Sequence, residues 1–259
     1  MPLHDLVHYF NQQHARLEAT TPPLPVLEQT SDSRVVAHYA GLTLESVFQP
    51  VVDIETGRPV GREALLRARH ARGTLLPPAS VFMIPADASD VIYLDRLCRT
   101  LHALNFLLGN DDETQWLSVN IHPRHLTSVL DAHGQAYEGI LQQLGLTPQR
   151  VHLEIDASAA AGIPHATSAI ANYRSRGYRI ILDGINPTTA GSAPIAALGA
   201  DTLKLDFVRY PDARLPPATE AEPAAPGSWI ALGSRPEQTA SLHAAGIQLF
   251  QGFDFGLPL

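Results

Sequence analysis

The chain has 259 residues, 45% of them hydrophobic, and 18 Lys and Arg against 26 Asp and Glu give a net charge of −8. That length suits one large domain or two small ones, since α/β barrels reach about 250 residues as one unit, and that apolar content excludes disorder for the bulk of the chain. The acidic balance without a Lys/Arg run excludes direct nucleic-acid binding, leaving small anionic ligands open because a metal ion or local donors offset bulk charge, and the single Cys98 excludes a disulfide framework or a Cys-rich zinc site.

The opening MPLHDLVHYF has no basic n-region or long apolar stretch, and no apolar run reaches the roughly 20 residues that span a bilayer. A cytoplasmic protein with no membrane role is expected. In the first 20 residues Leu6, Phe10 and Leu17 form one narrow apolar stripe of a helix, which Thr21 to Pro25 terminates. That stripe covers either the chain's own main domain or a partner's surface. Residues 1–41 are read as this helical extension and a linker, and 42–259 as the main domain.

Val47 to Ile54, a turn at Glu55-Thr56-Gly57 and P-V-G-R-E-A-L-L-R predict two strands joined by a hairpin. Short apolar runs then recur: W-L-S-V-N, V-H-L-E, R-I-I-L-D, T-L-K-L, W-I-A-L and L-F-Q. Amphipathic stretches lie between them, notably Tyr93–Leu108, Tyr137–Leu144 and His165–Ser175. Such alternation predicts βα units around a parallel sheet. Glu63, Asn120, Glu154, Asp183, Lys204 and Gln251 stand at or near strand ends, and their spacings resemble two βα steps of about 30 residues, one, one, a short one and two. In a TIM-like (β/α)8 barrel such positions converge on one face, where a buried strand would otherwise carry Val, Ile or Leu. The carboxylates and Asn120 are hard oxygen donors, suited to Mg²⁺, Mn²⁺ or Ca²⁺. Lys204 could hold or activate a water, and Arg67 offers a fork for phosphate oxygens, so the set points to phosphodiester hydrolysis or phosphate-ligand binding.

These residues carry a resemblance. R-E-A-L-L-R with its preceding hairpin F-Q-P-V-V-D-I-E-T-G-R-P-V-G, L-S-V-N-I-H-P-R-H-L, V-H-L-E-I, A-D-T-L-K-L-D-F-V and Q-L-F-Q-G-F-D-F-G-L-P-L resemble the EAL domains of bacterial cyclic di-GMP signalling, from about Leu42 to Leu259. The resemblance implies an EAL-type barrel with its first strand antiparallel. It implies that Glu63, Asn120, Glu154 and Asp183 match ligands of divalent metal, that Lys204 matches the residue positioning the attacking water, and that Gln49 and Arg67 match dinucleotide contacts. Gln251 would close the far side of the nucleotide site. The implied reaction is hydrolysis of cyclic di-GMP to linear pGpG with two Mg²⁺ or Mn²⁺ ions.

The chain departs from that pattern. Active members open a loop with two adjacent aspartates, D-D-F-G-T-G-Y-S-S-L, and here it reads D-G-I-N-P-T-T-A-G-S, with Gly184 in the second place. W-I-A-L-G-S-R stands where the family has A-E-G-V-E, so Leu232 and Arg235 replace glutamates, and Ala157 replaces another. Leucine cannot bind a metal, and an arginine repels one. These losses predict a catalytically inactive member, with Lys204 vestigial and Glu63, Asn120, Glu154 and Asp183 either vestigial or a single-cation site. Five prolines between Pro211 and Pro226 predict a loop in place of one barrel helix, and so a groove filled either by the N-terminal helix or by a partner. Two readings follow: a regulator acting through a protein partner, cyclic di-GMP or both, with no cofactor required, or an active phosphodiesterase. Degenerate relatives imply control of motility or surface attachment. The 12 histidines, including His4, His8, His14, His122 and His125, lack zinc-ligand spacing and are expected to be solvated or capping, and Cys98 to be a small packed residue.

Overall fold

The computed structural model describes residues 3–17, 26–110, 112–129, 133–215 and 229–259. The expected hairpin is its longest pairing. Strand β3 (Leu42–Asp53) runs antiparallel to β4 (Arg58–His70), following α1 (Leu3–Leu17), β1 (Leu27–Gln29) and β2 (Val35–Tyr39) in the chain. Its turn closes where Asp53 accepts from the backbone N–H of Thr56 at 2.8 Å and Gly57 supplies a left-handed φ of 65°.

Beyond the hairpin come β5 (Leu75–Leu76), α2 (Pro78–Val81), α3 (Ala88–Leu108), β6 (Trp116–Asn120), α4 (Pro123–Ser128), α5 (Gln135–Leu144) and β7 (Val151–Asp156). They are followed by α6 (Ala157–Ala161), α7 (Ala166–Ser175), β8 (Arg179–Ile185), α8 (Ala193–Ala196), β9 (Thr202–Asp206), β10 (Trp229–Leu232), α9 (Pro236–Ala244) and β11 (Leu249–Gln251). Strands β4, β6, β7, β8, β9, β10 and β11 pair in parallel in that order. Antiparallel β3 joins β11 to β4 and closes an eight-stranded barrel of EAL type. The Pro-rich stretch runs as turns and irregular chain through residue 215, and residues 216–228 lie outside the described residues.

Side chains alternate between two cores, as a strand period of two requires. Inside the barrel, Val51, Ile181 and Ile230 form an apolar floor with Val60, Trp116 and Leu249 packed against them. Trp116 stacks on His152 at 4.2 Å and 7°, and burial pushes His152 down to about 4, so the ring is neutral. Gly61 lies against the indole so closely that a Cβ there would stand 2.2 Å from it. Outside, the opposite strand faces pack on the helices, and α3 contributes residues from all round its circumference. The amphipathic face expected for α3 is thus a fully wrapped helix.

Two features lay outside the sequence expectation. Within residues 1–41, β1 and β2 form an antiparallel pair that extends the sheet from the far half of β3. Leu6, Val7 and Phe10 of α1 are buried, and Asn11 bonds three backbone groups of Val26 and Leu27 at 2.8–3.0 Å. The side chains of His4, His14 and Leu17 lie outside the described residues. Several histidines are neither solvated nor capping: His102, His125 and His133 are buried. Burial pushes His102 and His125 down to about 4, so they pack as neutral rings. His125 lies 3.2 Å from Asp95, which is ion-paired with Arg99 one helical turn on. Asp95 also accepts from the His122 N–H at 3.1 Å, pinning the turn that follows β6. His122 caps α4 as expected, and Cys98 is buried.

Candidate active site

Six of the eight expected residues are joined in one hydrogen-bonded chain above the barrel floor. The register places Gln49 opposite Glu63 across the hairpin, so both point inward. Glu63 accepts from Asn120 at 3.1 Å on one oxygen, and from Lys204 at 2.9 Å and Gln251 at 2.6 Å on the other. Lys204 also donates to Glu154 at 2.5 Å, and Gln251 to Gln49 at 3.4 Å. Lys204 is 1% exposed, so its ammonium is held almost entirely by two carboxylates from β4 and β7.

The charges follow from this geometry. Burial opposes the charge on Lys204, yet Glu154 and Glu63 raise its pKa above the ordinary lysine value. Burial likewise opposes ionisation of Glu63, and Lys204 with the donors from Gln251 and Asn120 outweighs it, holding this carboxyl below the usual range. Glu154 is pushed up to about 8 by burial and by the Glu63 charge, with Lys204 only partly offsetting them. The buried trio thus couples one ammonium to a carboxyl held low, Glu63, and to one pushed up, Glu154.

Asp183, near the end of β8, has an oxygen without a hydrogen-bond partner among the described residues, and burial raises its pKa. Arg67 sits two residues beyond Leu65 on the inward side of β4, half-buried, with its guanidinium on the Leu66 carbonyl at 3.0 Å. These two stand outside the hydrogen-bonded chain. Two further inward-facing groups were missed, although period-two alternation marks both. Ser118 is fully buried, two residues before Asn120, with a hydroxyl that has no partner among the described residues. Asp156 lies two residues after Glu154, and its carboxylate caps α6 through the Ala159 N–H at 2.7 Å.

The departures are visible at the same mouth. Gly184 follows Asp183 at a break in the β8–β9 register, with φ at +72°, and a Cβ there would lie 3.3 Å from Asp156 Oδ2. Leu232 ends β10 opposite Asp206 and Gln251. Arg235 bonds the Pro211 carbonyl at 3.1 Å and Asp212 at 3.3 Å, which engages its charge on the rim.

Whether this donor set suits a hard cation divides in two. Oxygens of Glu154 and Asp183 lack partners among the described residues, as a cation's ligands would. Yet no three His, Cys, Asp or Glu side chains converge into a metal cage among those residues, since Glu63 is turned onto Lys204, Gln251 and Asn120. Glu154 and Asp183 are therefore the two carboxyls with an oxygen left open, which is too few for a two-metal cage among the described residues.

Comparisons with known proteins agree with this frame. The chain is 26% identical over 242 residues to the uncharacterized protein Rv1357c of Mycobacterium tuberculosis, covering 82% of this chain and 74% of that one. It is 27% identical over 237 residues to the cyclic di-GMP phosphodiesterase NbdA of Pseudomonas aeruginosa, covering 83% of this chain and 29% of that one. The fold matches a manganese and cyclic di-GMP complex of Klebsiella pneumoniae BlrP1 with a TM-score of 0.65 at 20% identity, over 100% of this chain and 67% of that one. The EAL domain profile matches residues 39–209, more than half of the sequence, and the chain belongs to the EAL domain family.

Proposed function

We propose that this chain is a catalytically inactive EAL-domain regulator that acts by binding cyclic di-GMP, by engaging a protein partner, or both. The observation that carries the reading is the end of β8. Gly184 has left-handed backbone, and the Asp156 carboxylate borders the space where a side chain at 184 would begin. A second aspartate there would be strained and would face a like charge. The strand end is built for glycine. With Leu232 at the neighbouring strand end, the mouth lacks two carboxylates that the sequence resemblance places in a two-metal centre.

What remains suits binding. Arg67 is a donor for phosphate oxygens, the Gln251 oxygen is an acceptor for a base N–H, and the Lys204 ammonium offsets carboxylate charge that would oppose an anion. The name of NbdA supports cyclic di-GMP as the ligand. Glu154, Asp183 and Asn120 would hold one Mg²⁺ or Mn²⁺, whose chemistry is to polarise a phosphodiester and acidify a water. In that setting Lys204 keeps its proton between two glutamates. We place the protein in the cytoplasm, with residues 1–41 appended to a barrel of 42–259. Among the described residues no helix is long and apolar enough to cross a membrane.

The test is calorimetric titration with cyclic di-GMP in EDTA, Mg²⁺ and Mn²⁺, alongside a phosphodiesterase assay. Binding without hydrolysis supports the reading, and no binding at millimolar nucleotide leaves only the protein-partner form. The retention of Glu63, Asn120, Glu154, Asp183 and Lys204 at one strand-end face favours the second reading, an active phosphodiesterase. Turnover that disappears in Glu63→Ala and Lys204→Ala would establish it.

A further inference from the structure

The last four residues return to the barrel and touch β3 at the candidate site. The Phe48 N–H donates to the Leu259 carbonyl at 2.7 Å, and the Leu259 N–H donates back to Phe48 at 3.1 Å. This residue pair lies between the part of β3 that pairs β2 and the part that pairs β11. At the other end of the segment, the Gln49 amide donates to the Gly256 carbonyl at 3.2 Å. Gly256 has φ +154° and approaches Pro50 so closely that a Cβ would stand 2.3 Å from its ring. Only glycine lets this carbonyl reach its place.

We propose that the segment Gly256–Leu259 is a positioning element, setting the amide polarity of Gln49 and, through it, the placement of Gln251 and Glu63. A glutamine amide has a donor end and an acceptor end. With its NH₂ committed to Gly256, Gln49 must turn its oxygen toward Gln251, whose NH₂ lies 3.4 Å away and bonds Glu63 at 2.6 Å. Flipping Gln49 would set two NH₂ groups face to face and push Gln251 off its contact. Gln251 cannot compensate by flipping, because its own oxygen would then face the Glu63 carboxylate. The Gln251 oxygen is consequently left buried without a partner among the described residues, an acceptor aimed by a chain of contacts that begins outside the barrel. The functional weight of this inference rests on reading the cluster as the ligand site, whereas the link itself is measured without ligand.

The experiment uses the full chain labelled with ¹⁵N, following the side-chain amide signals of Gln49 and Gln251. These are assigned by their loss in Gln49→Glu and Gln251→Glu. Gly256→Ala drives the segment off Pro50. Leu259→Pro removes the donor to Phe48 while changing a side chain that is 86% exposed, so it serves where the first variant fails to fold. Both amide pairs are expected to shift in each variant and to stay in place in Gly139→Ala, where a Cβ meets nothing within 4 Å. A shift at Gln49 alone, or at neither, overturns the proposal. Titration with cyclic di-GMP adds the functional arm. Gly256→Ala and Gln49→Ala should each weaken binding about tenfold, and the double variant no further. Additive losses overturn the positioning role. Absence of binding by the unaltered chain would refute the ligand reading while the amide signals still decide the link.

Discussion

Replacing Lys204 with methionine keeps most of the side-chain volume and deletes the one cation that bonds the two buried glutamates among the described residues. The substitution leaves the Glu63 carboxylate, held low in the intact protein chiefly by Lys204, buried without its cation. Breaking a buried pair in this way costs about 3–5 kcal/mol. Proton uptake by Glu63 returns part of that, because its folded pKa then rises above the unfolded value of about 4.3. A folded state that binds more protons than the unfolded one gains stability as pH falls. Lys204→Met should therefore recover between pH 8 and pH 5, at up to about 1.4 kcal/mol per pH unit. Adding Glu63→Gln removes the stranded charge and should restore most of the loss at pH 8. Urea-unfolding midpoints by circular dichroism, taken at both pH values for both variants, measure this. A single-variant loss below about 1 kcal/mol, or a double variant no more stable than the single one, would refute the charge assignment.

Three further outcomes follow from the same structure. In the unaltered chain, the raised Glu154 pKa contributes stability that is fully present below about 4.5 and lost as pH rises through about 8. Unfolding midpoints should fall between pH 7 and pH 9, and Glu154→Gln should flatten that slope. Gly61→Ala forces a methyl into the Trp116 ring and should cost at least about 1–3 kcal/mol by thermal melting, with loss of the near-ultraviolet tryptophan signal. Asp95→Asn removes the carboxylate paired with buried Arg99 and should cost about 3–5 kcal/mol, whereas exposed Asp212→Asn should move the melting point little.

Most barrel strands were legible because a short apolar run carries a polar residue at or near its end, W-I-A-L with Leu232 being the exception, and a buried strand tolerates few other patterns. The site was legible for the same reason: Glu63, Asn120, Glu154, Lys204 and Gln251 break apolar runs at matching positions, and the hairpin register brings Gln49 to Glu63. Less visible were β1 and β2. Their alternation, with Val35 and Ala37 buried and Val36 and His38 half-exposed, spans too few residues to stand out beside a Pro-rich stretch. The Asp95, Arg99 and His125 cluster was hidden for another reason. An i, i+4 acid–base pair on a helix usually lies in solvent, and only the helix layer packed over α3 turns it inward. The proximity of Asp156 to Gly184 depends on strand pairing, with Asp156 in register with Asp183, and a linear sequence does not display it.

The three bonds from Asn11 to Val26 and Leu27 also have a bearing on self-association. β1 is the outermost strand on its side of the sheet, and a bare rim of N–H and C=O groups is a template on which another chain can polymerise. One carboxamide engages part of that template, donating and accepting as a neighbouring strand would. The helix that delivers it thereby works as a stopper, and removing residues 1–17 would uncover a growing end rather than merely shorten the protein.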